Sequence, residues 1–122
     1  MIRVLLVDDH PIVREGLASV LSDEDDFEVV GTAGTAADAV TMMRRLTPDV
    51  VLLDIELPGT SGLAAIPLLL DAHPASRIIV FTAYHSDEHV MHAIRAGARG
   101  YLLKGAVSEE IARAIRAVYA GG

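Results

Sequence analysis

The 122-residue sequence contains no cysteine, which excludes disulfide bonds and thiolate metal ligands. It also lacks any apolar run of the ~18 residues that a membrane-spanning helix needs. Acidic residues interrupt the first apolar segment at once, so the beginning MIRVLLVDDH is not typical of a signal peptide. We therefore expect a cytoplasmic protein that makes no membrane contact.

Basic residues are scarce, and one type is nearly absent. The 17 acidic and 10 basic residues give a net charge of −7, which disfavours binding to the phosphate backbone of DNA. Lys104 is the only lysine, and every other basic residue is arginine. Because an ammonium is a compact point charge and a guanidinium is a wide fork, one retained lysine suggests a specific role, with chance as the alternative.

Length and apolar content predict one compact domain over residues 1–122, since 52% of the residues are hydrophobic. Five short runs rich in Val, Ile and Leu predict β-strands. Several are apolar at nearly every position, which is typical of parallel strands buried on both faces. The predicted strands are Arg3–Val7, Glu28–Gly31, Val50–Asp54, Ile78–Thr82 and Gly100–Leu103.

Helical spacing of apolar residues separates these strands. Thr35 is placed to cap the second helix, and Ser108 to begin the fifth. Pro67 interrupts the third pattern at a cost of ~3 kcal/mol within a helix, so we expect that helix to start late or kink. The fourth runs from near Ser86 to near Gly97. Five β-α units with right-handed crossovers predict an α/β fold, a doubly wound five-stranded parallel sheet.

Polar residues break the apolar runs at the carboxyl ends of the strands, where ligands bind in such sheets. An acid pair follows the first strand, and an aspartate closes the third. A hydroxyl and the lone lysine close the fourth and fifth. These residues are Asp8, Asp9, Asp54, Glu56, Thr82 and Lys104.

This set of side chains has the chemistry for phosphoryl transfer. Converging carboxylates repel one another, and one lysine cannot neutralise them, so a divalent cation with oxygen ligands is expected, Mg²⁺ or alternatively Mn²⁺. A carboxylate beside a cation, an ammonium and a hydroxyl can attack a phosphoryl group and become an aspartyl phosphate. Taken one at a time, each residue also has an ordinary structural explanation, such as a helix cap, a buried hydroxyl or a surface lysine.

The strings VLLVDDHPIVREGL, DVVLLDIELPGTSG and GARGYLLK resemble the receiver domains of two-component response regulators, and within them the NarL/LuxR-type subfamily. The resemblance covers essentially the whole chain. It implies the (βα)5 flavodoxin-like receiver fold and a signalling domain, not an enzyme, that assists its own phosphorylation and dephosphorylation.

The resemblance also implies a role for each site residue. Asp54 is the expected phosphoacceptor, Thr82 the switch hydroxyl and Tyr101 the switch aromatic. Lys104 is expected to bind the phosphoryl group. The implied Mg²⁺ ligands are Asp54, Asp9 directly, Asp8 mainly through water, and Glu56 through its backbone carbonyl.

Two positions depart from the family pattern. Many receivers have a proline in a cis peptide after the lysine, whereas Gly105 follows Lys104 here. A cis bond without proline costs about 2.5–4 kcal/mol, so we expect a trans peptide. Glu56 is long and acidic for its position, and its side chain is expected to affect hydrolysis of the acyl phosphate.

The implied partners are a sensor histidine kinase and, after phosphorylation, a second copy of the chain. Regulators of this subfamily carry a helix-turn-helix domain after the receiver, and Ala120-Gly121-Gly122 resembles the start of a linker. We therefore expect transcription control, with DNA bound only through a C-terminal domain absent from these residues. The alternative is a stand-alone receiver that acts on a protein partner.

Three other classes fit less well. A phosphatase of the haloacid-dehalogenase type carries its nucleophile on the first strand and adds a cap, for which there is no insertion here. A flavodoxin-like cofactor binder needs a phosphate cradle after the first strand, where Asp8 and Asp9 would repel phosphate. A receiver fold kept only for protein interaction would not need the full set of phosphorylation residues.

Overall fold

A computed structural model describes residues 1–83 and 85–121. Five parallel strands form one sheet in the order β2-β1-β3-β4-β5. The strands are β1 (Ile2–Val7), β2 (Phe27–Ala33), β3 (Val50–Leu53), β4 (Arg77–Thr82) and β5 (Gly100–Leu103). The helices are α1 (Pro11–Ser22), α2 (Ala36–Leu46), α3 (Gly62–Ala72), α4 (Asp87–Ala96) and α5 (Ser108–Tyr119). The predicted doubly wound sheet is confirmed. Gly122, one of the residues that resemble the start of a linker, lies outside the described residues.

The strands occur where the apolar runs predict them, with small differences at their ends. β2 is longer than predicted at both ends, and β3 stops at Leu53, so that Asp54 follows the strand. Every residue of β3 is buried, and β4 is buried from Ile78 onward. Burial on both faces explains why these strands show no alternation of apolar and polar residues.

Two apolar layers separate the helices into two groups. On one face, β1, β3 and β4 pack against α2, α3 and α4, with Met43, Ile66 and Leu69 fully buried between them. On the other face, the same strands and β5 pack against α1 and α5 through residues such as Leu21 and Ile115. The sheet is therefore covered on both sides, and the loops at its edges remain accessible.

Of the two alternatives for α3, the late start is wrong, because the helix begins at Gly62 and contains Pro67, and the kink stays a prediction. Ser61 caps this helix, since its hydroxyl accepts a hydrogen bond from the amide of Leu63 at 3.2 Å. Ile66 and Leu69 are fully buried on its inner face. Burying such side chains contributes about 1.5–3 kcal/mol each, which offsets the hydrogen bond lost at the proline.

The other predicted helix starts are close to those observed. The Thr35 hydroxyl accepts a hydrogen bond from the amide of Asp38 at 3.1 Å and caps α2. α5 begins at Ser108, but Val107 occupies the N-cap position and no side chain caps the helix. α4 extends from the residue after Ser86 to the residue before Gly97. Among the described residues, no helix has both the length and the apolar character to cross a bilayer.

Candidate functional site

Three buried polar side chains lie at the carboxyl edge of the sheet, where parallel strands converge. Asp8 follows β1, Asp54 follows β3 and Thr82 ends β4, and each is at most 2% exposed. The strand order changes direction at β1, which lies between β2 and β3. A ligand site is expected at such a switch point. The structure thus brings the sequence-predicted residues together at this edge.

Lys104 connects two of the carboxylates. Its Nζ lies 2.8 Å from Asp8 Oδ2 and 2.9 Å from Asp54 Oδ2. The Lys104 amide also donates to the carbonyl of Thr82 at 2.8 Å, which anchors the loop after β5 to the end of β4. Burial opposes the charge of the ammonium, but the two carboxylates outweigh it and raise the pKa of Lys104. The side chain is therefore held as a cation between two acids.

The acid cluster offers several oxygen atoms to one point. One ligand atom from each of Asp8, Asp9, His10 and Asp54 lies within 4.8 Å of all the others. Asp9 Oδ1 is buried and accepts no hydrogen bond from the described residues. A buried acceptor without a donor is costly unless a cation satisfies it. The donor set fits Mg²⁺, since hard divalent cations bind carboxylate and carbonyl oxygens.

His10 contacts both aspartates of the acid pair. Its amide donates to Asp8 Oδ1 at 2.9 Å. Its Nδ1 lies 3.0 Å from Asp8 Oδ1 and 3.1 Å from Asp9 Oδ1. The side chain itself is exposed, which agrees with a place at the rim of the site. Its position next to the acid pair was the signal for this contact.

Glu56 links Asp54 to the hydroxyl at the end of β4. The amide of Glu56 donates to Asp54 Oδ1 at 2.9 Å, so that the loop after β3 turns back on the carboxylate. The Thr82 hydroxyl donates to Glu56 Oε1 at 3.2 Å. The sequence analysis assigned Glu56 a backbone role and did not predict this side-chain contact. The side chain is long enough for it, but the partner depends on how β3 and β4 pair.

Tyr101 lies in β5, on the same side of the molecule as the acid cluster. Its ring is partly buried and packs edge to face with His85, with centroids 6.3 Å apart. Burial first, and the charge of Glu56 second, raise the pKa of its phenol. An open groove of about 650 Å³ runs beside it between α4 and α5 and is also lined by Val90, Leu103 and Ala106. Tyr101 thus lies between the acid cluster and an accessible surface.

The peptide bond between Lys104 and Gly105 is trans, as the sequence predicts, since no cis bond occurs in residues 1–83 or 85–121. Gly105 is exposed, and a Cβ built on it meets no atom within 4 Å. The loop after Lys104 therefore reaches its geometry without the proline common in similar receivers. Lys104 itself still points to both carboxylates.

Arg14 is a residue of the site that the sequence analysis did not identify at all. Arg14, in the first turns of α1, donates from Nη1 to the backbone carbonyl of Asp8 at 2.6 Å. α1 begins at Pro11, two residues after the acid pair, so its first turns lie near the site. A basic residue this close in sequence to the acid pair could have indicated a contact with the site. Its acceptor, however, is a main-chain carbonyl, which cannot be identified from residue types.

Comparison with known proteins agrees with this geometry. The response regulator receiver domain family matches residues 4–116. The transcriptional regulatory protein YxjL of Bacillus subtilis is 42% identical over 120 residues, which are 98% of this chain and 55% of that protein. This chain spans about half the length of the curated relatives it matches, between 55% and 57% for those most similar.

Two solved structures give the same result. A LuxR-family two-component response regulator from Aurantimonas sp. SI85-9A1 has a TM-score of 0.92 at 39% identity, covering 98% of this chain and 85% of that one. The signal receiver domain of the putative response regulator NarL from Mycobacterium tuberculosis has a TM-score of 0.93 at 33% identity, covering 99% and 98%. The chain belongs to the response regulator receiver domain family, with relatives of the NarL/LuxR type, and has the flavodoxin-like receiver fold.

Proposed function

We propose that this chain is a phosphoacceptor domain in which a sensor histidine kinase transfers a phosphoryl group to Asp54 in an Mg²⁺-dependent step. The observation that carries the proposal is the buried Asp54 carboxylate, which contacts Lys104 at 2.9 Å and lies in one cluster with Asp8 and Asp9. Family membership supports the same conclusion. In the sequence analysis, Asp54 is a site residue because it ends the third predicted strand, and its role as phosphoacceptor follows from the resemblance to receiver domains.

In the proposed reaction an Asp54 oxygen attacks the phosphorus of a phosphohistidine. The new O–P bond forms as the P–N bond breaks, and the electron pair of that bond stays on the imidazole nitrogen. Lys104 holds a positive charge next to the transferring group, and the Thr82 hydroxyl can donate to one of its oxygens. Mg²⁺, when bound, neutralises the charge shared by the phosphoryl oxygens and the acids. In dephosphorylation, water attacks the phosphorus, the O–P bond to Asp54 breaks with its electron pair returning to the carboxylate, and inorganic phosphate leaves from among the same residues.

We assign the Mg²⁺ ligands as Asp54, Asp9 and the backbone carbonyl of Glu56, with Asp8 acting through water. The contacts of the two neighbouring acids support this ranking. Asp8 is already engaged, by Lys104 at Oδ2 and by the His10 amide at Oδ1. Asp9 Oδ1 accepts no hydrogen bond from residues 1–83 and 85–121, and its neighbour at 3.1 Å is Nδ1 of the exposed His10 ring. Mn²⁺ has the same preference for oxygen ligands and is the alternative ion.

Phosphorylation is proposed to change the surface formed by α4, β5 and α5. The Thr82 hydroxyl donates to Glu56 in this structure and would turn toward phosphoryl oxygens on Asp54. That movement would leave space for Tyr101 to turn inward from the edge of its groove. Two packings of similar energy would then be biased by the phosphoryl group.

The output is proposed to be transcription control through a C-terminal helix-turn-helix domain. YxjL is named a transcriptional regulatory protein, and this chain covers 55% of it. Phosphorylation would release or dimerise the DNA-binding part, since two linked half-site contacts gain affinity from effective concentration. The sequence that follows residue 122 in the gene would distinguish this arrangement from a stand-alone receiver with a protein partner.

Incubation with Mg²⁺ and acetyl phosphate tests the central step. We expect the chain to gain one phosphoryl group, located by mass spectrometry on the peptide that contains Asp54, and we expect no gain when Mg²⁺ is chelated. Asp54→Asn is nearly isosteric and should not be labelled. Equal labelling of Asp54→Asn and the parent would refute the assignment.

A further inference from the structure

The main chain of Asp8 is held from two sides. Its amide donates to the carbonyl of Ala33 at 2.9 Å, which extends the β1–β2 ladder by one residue. In a ladder that continued, the amide of Thr35 would donate to the carbonyl of Asp8. The guanidinium of Arg14 donates to that carbonyl instead, at 2.6 Å. A side chain of α1 thus replaces the next rung of the sheet, directly beside the acid cluster.

Gly34 makes room for this contact. A Cβ built on Gly34 would lie 2.9 Å from Arg14 Nη1 and 3.9 Å from the carbonyl oxygen of Asp8. The φ of Gly34 lies outside the left-handed region, so backbone conformation does not require a glycine here. Close packing of the guanidinium explains the residue. Two sequence positions, 14 and 34, therefore serve one hydrogen bond.

We propose that Arg14, packed against Gly34, is a positioning residue for the Mg²⁺ site. The peptide that joins Asp8 to Asp9 is planar. A hydrogen bond to its oxygen therefore also fixes the position of the Asp9 amide nitrogen and the direction of the bond from that nitrogen to the Asp9 Cα. Asp9 Oδ1, which is buried and accepts no hydrogen bond from the described residues, is then presented to the cation at no further ordering cost. This inference rests on the proposed function, because it concerns the same metal site.

The sign of the effect separates positioning from simple electrostatics. Arg14 carries a positive charge near a cation site, so its charge alone disfavours Mg²⁺, and its removal would tighten binding. Loss of a residue that orients metal ligands has the opposite effect and weakens binding by about 10- to 100-fold. We expect Arg14→Met, which retains the aliphatic length and removes the donors, to bind Mg²⁺ about tenfold more weakly than the parent.

The test is an Mg²⁺ titration of the chain, monitored by backbone amide shifts, with hydrogen exchange of the Asp8 amide, which donates to Ala33, measured without metal. Gly34→Ala should weaken Mg²⁺ binding as Arg14→Met does and should add little to it in the double variant. Arg14→Lys, which retains a donor and a charge, should recover part of the affinity. Arg45→Met removes an exposed arginine near the end of α2 and is the control for charge. Thermal midpoints identify any variant that is not folded.

The outcomes distinguish this inference from the proposed function. Weaker Mg²⁺ binding and faster exchange of the Asp8 amide in both Arg14→Met and Gly34→Ala, but not in Arg45→Met, would support positioning. Unchanged or tighter binding in folded Arg14→Met would overturn the inference and leave the phosphoacceptor proposal intact. A parent chain that binds no Mg²⁺ would overturn both.

Discussion

At the scale of single residues, Lys104 shows why one lysine is retained among arginines. Its Nζ fits between Asp8 Oδ2 and Asp54 Oδ2, at 2.8 and 2.9 Å, in a side chain that is only 18% exposed. A guanidinium has the same charge but is planar and wider, so it cannot place one nitrogen at the same point. The geometry therefore favours a specific role over chance.

We predict that Lys104→Arg responds poorly to phosphorylation. A misplaced cation loses a charge-assisted hydrogen bond to the phosphoryl group, worth about 1.5–3 kcal/mol, which corresponds to a loss of about tenfold or more in the switching equilibrium. The measurement is the amide shift of α4, β5 and α5 on saturation with acetyl phosphate. Arg113→Lys, an exposed reverse exchange in α5, is the control and should respond normally. A normal response of Lys104→Arg would show that the switch does not require a lysine at this position.

Glu56 places a second charge next to the reacting carboxylate. It accepts the Thr82 hydroxyl at 3.2 Å, and its charge contributes to the raised pKa of Tyr101. An incoming phosphoryl donor is an anion, so this carboxylate opposes its approach. A unit charge at about 4 Å in water is worth ~1 kcal/mol, or a factor of about five in rate.

We predict that Glu56→Gln is phosphorylated by acetyl phosphate about fivefold faster than the parent. The pKa of Tyr101 should fall, yet stay above its ordinary value, because burial is the larger cause of the shift. Labelling time courses and ring-carbon titration measure the two effects. Glu28→Gln removes the same charge from the exposed side of β2 and should change neither. A slower reaction in Glu56→Gln would show that the carboxylate assists the transfer.

At the scale of elements, α3 packs very closely on the loop that carries Asp54. A Cβ built on Gly62 would lie 2.3 Å from Ile55 Cα and 2.5 Å from the carbonyl oxygen of Asp54. These are backbone atoms, which cannot move without displacing the phosphoacceptor loop. The Gly62 amide also donates to the carbonyl of Ile55 at 3.0 Å. Gly62 is therefore required by space where the helix meets the site.

We predict that Gly62→Ala destabilises the chain by about 1–3 kcal/mol in urea unfolding, because the overpacked contact forces the backbone apart. Phosphorylation of Asp54 should slow as its loop moves. Gly16→Ala is the matched control: Gly16 lies in α1 with no atom within 4 Å of its built Cβ. That change should stabilise the chain by about 0.5–1 kcal/mol. Equal effects of the two substitutions would contradict the close packing.

The elements also show where prediction from sequence stops. Strand ends were predictable because a polar residue after an apolar run marks the edge of a buried strand, as at Asp8 and Asp54. The start of α3 was not predictable, because local helix propensity is dominated by Pro67. The burial of Ile66 and Leu69, which stabilises the helix, is seen only in the folded chain.

At the scale of the whole molecule, most of what the sequence could predict about the site follows from the topology of the sheet. The five β-α units place Asp8, Asp54 and Lys104 at the carboxyl edge of the sheet, because each follows the end of a parallel strand. Contacts that depend on the relative placement of helices and loops could not be predicted. Arg14 reaches a main-chain carbonyl across the first loop, and Glu56 reaches the hydroxyl of a neighbouring strand.

Charge is the whole-molecule property that bears on output. The net charge of −7 opposes contact with a phosphate backbone. Arg116, one of the few candidates for such contact, is already bound by Asp26 and Glu24 at 2.8 Å. Arg44 and Arg45 are exposed, but they stand at one end of α2 and form no extended basic surface. A helix that enters a DNA groove needs a stripe of such residues.

We predict that residues 1–122 alone do not bind DNA specifically, whereas a longer chain with a helix-turn-helix domain does. The measurement is a mobility shift with promoter DNA at physiological salt, made on both proteins with and without acetyl phosphate. Any nonspecific binding should weaken as salt rises, because it depends on the release of counterions from the phosphates. Specific binding by residues 1–122 that persists at this salt concentration would contradict the assignment of DNA binding to a separate C-terminal domain. A stop codon directly after Gly122 in the gene would instead assign the output to a protein partner, and the surface formed by α4, β5 and α5 would then be the place to look for it.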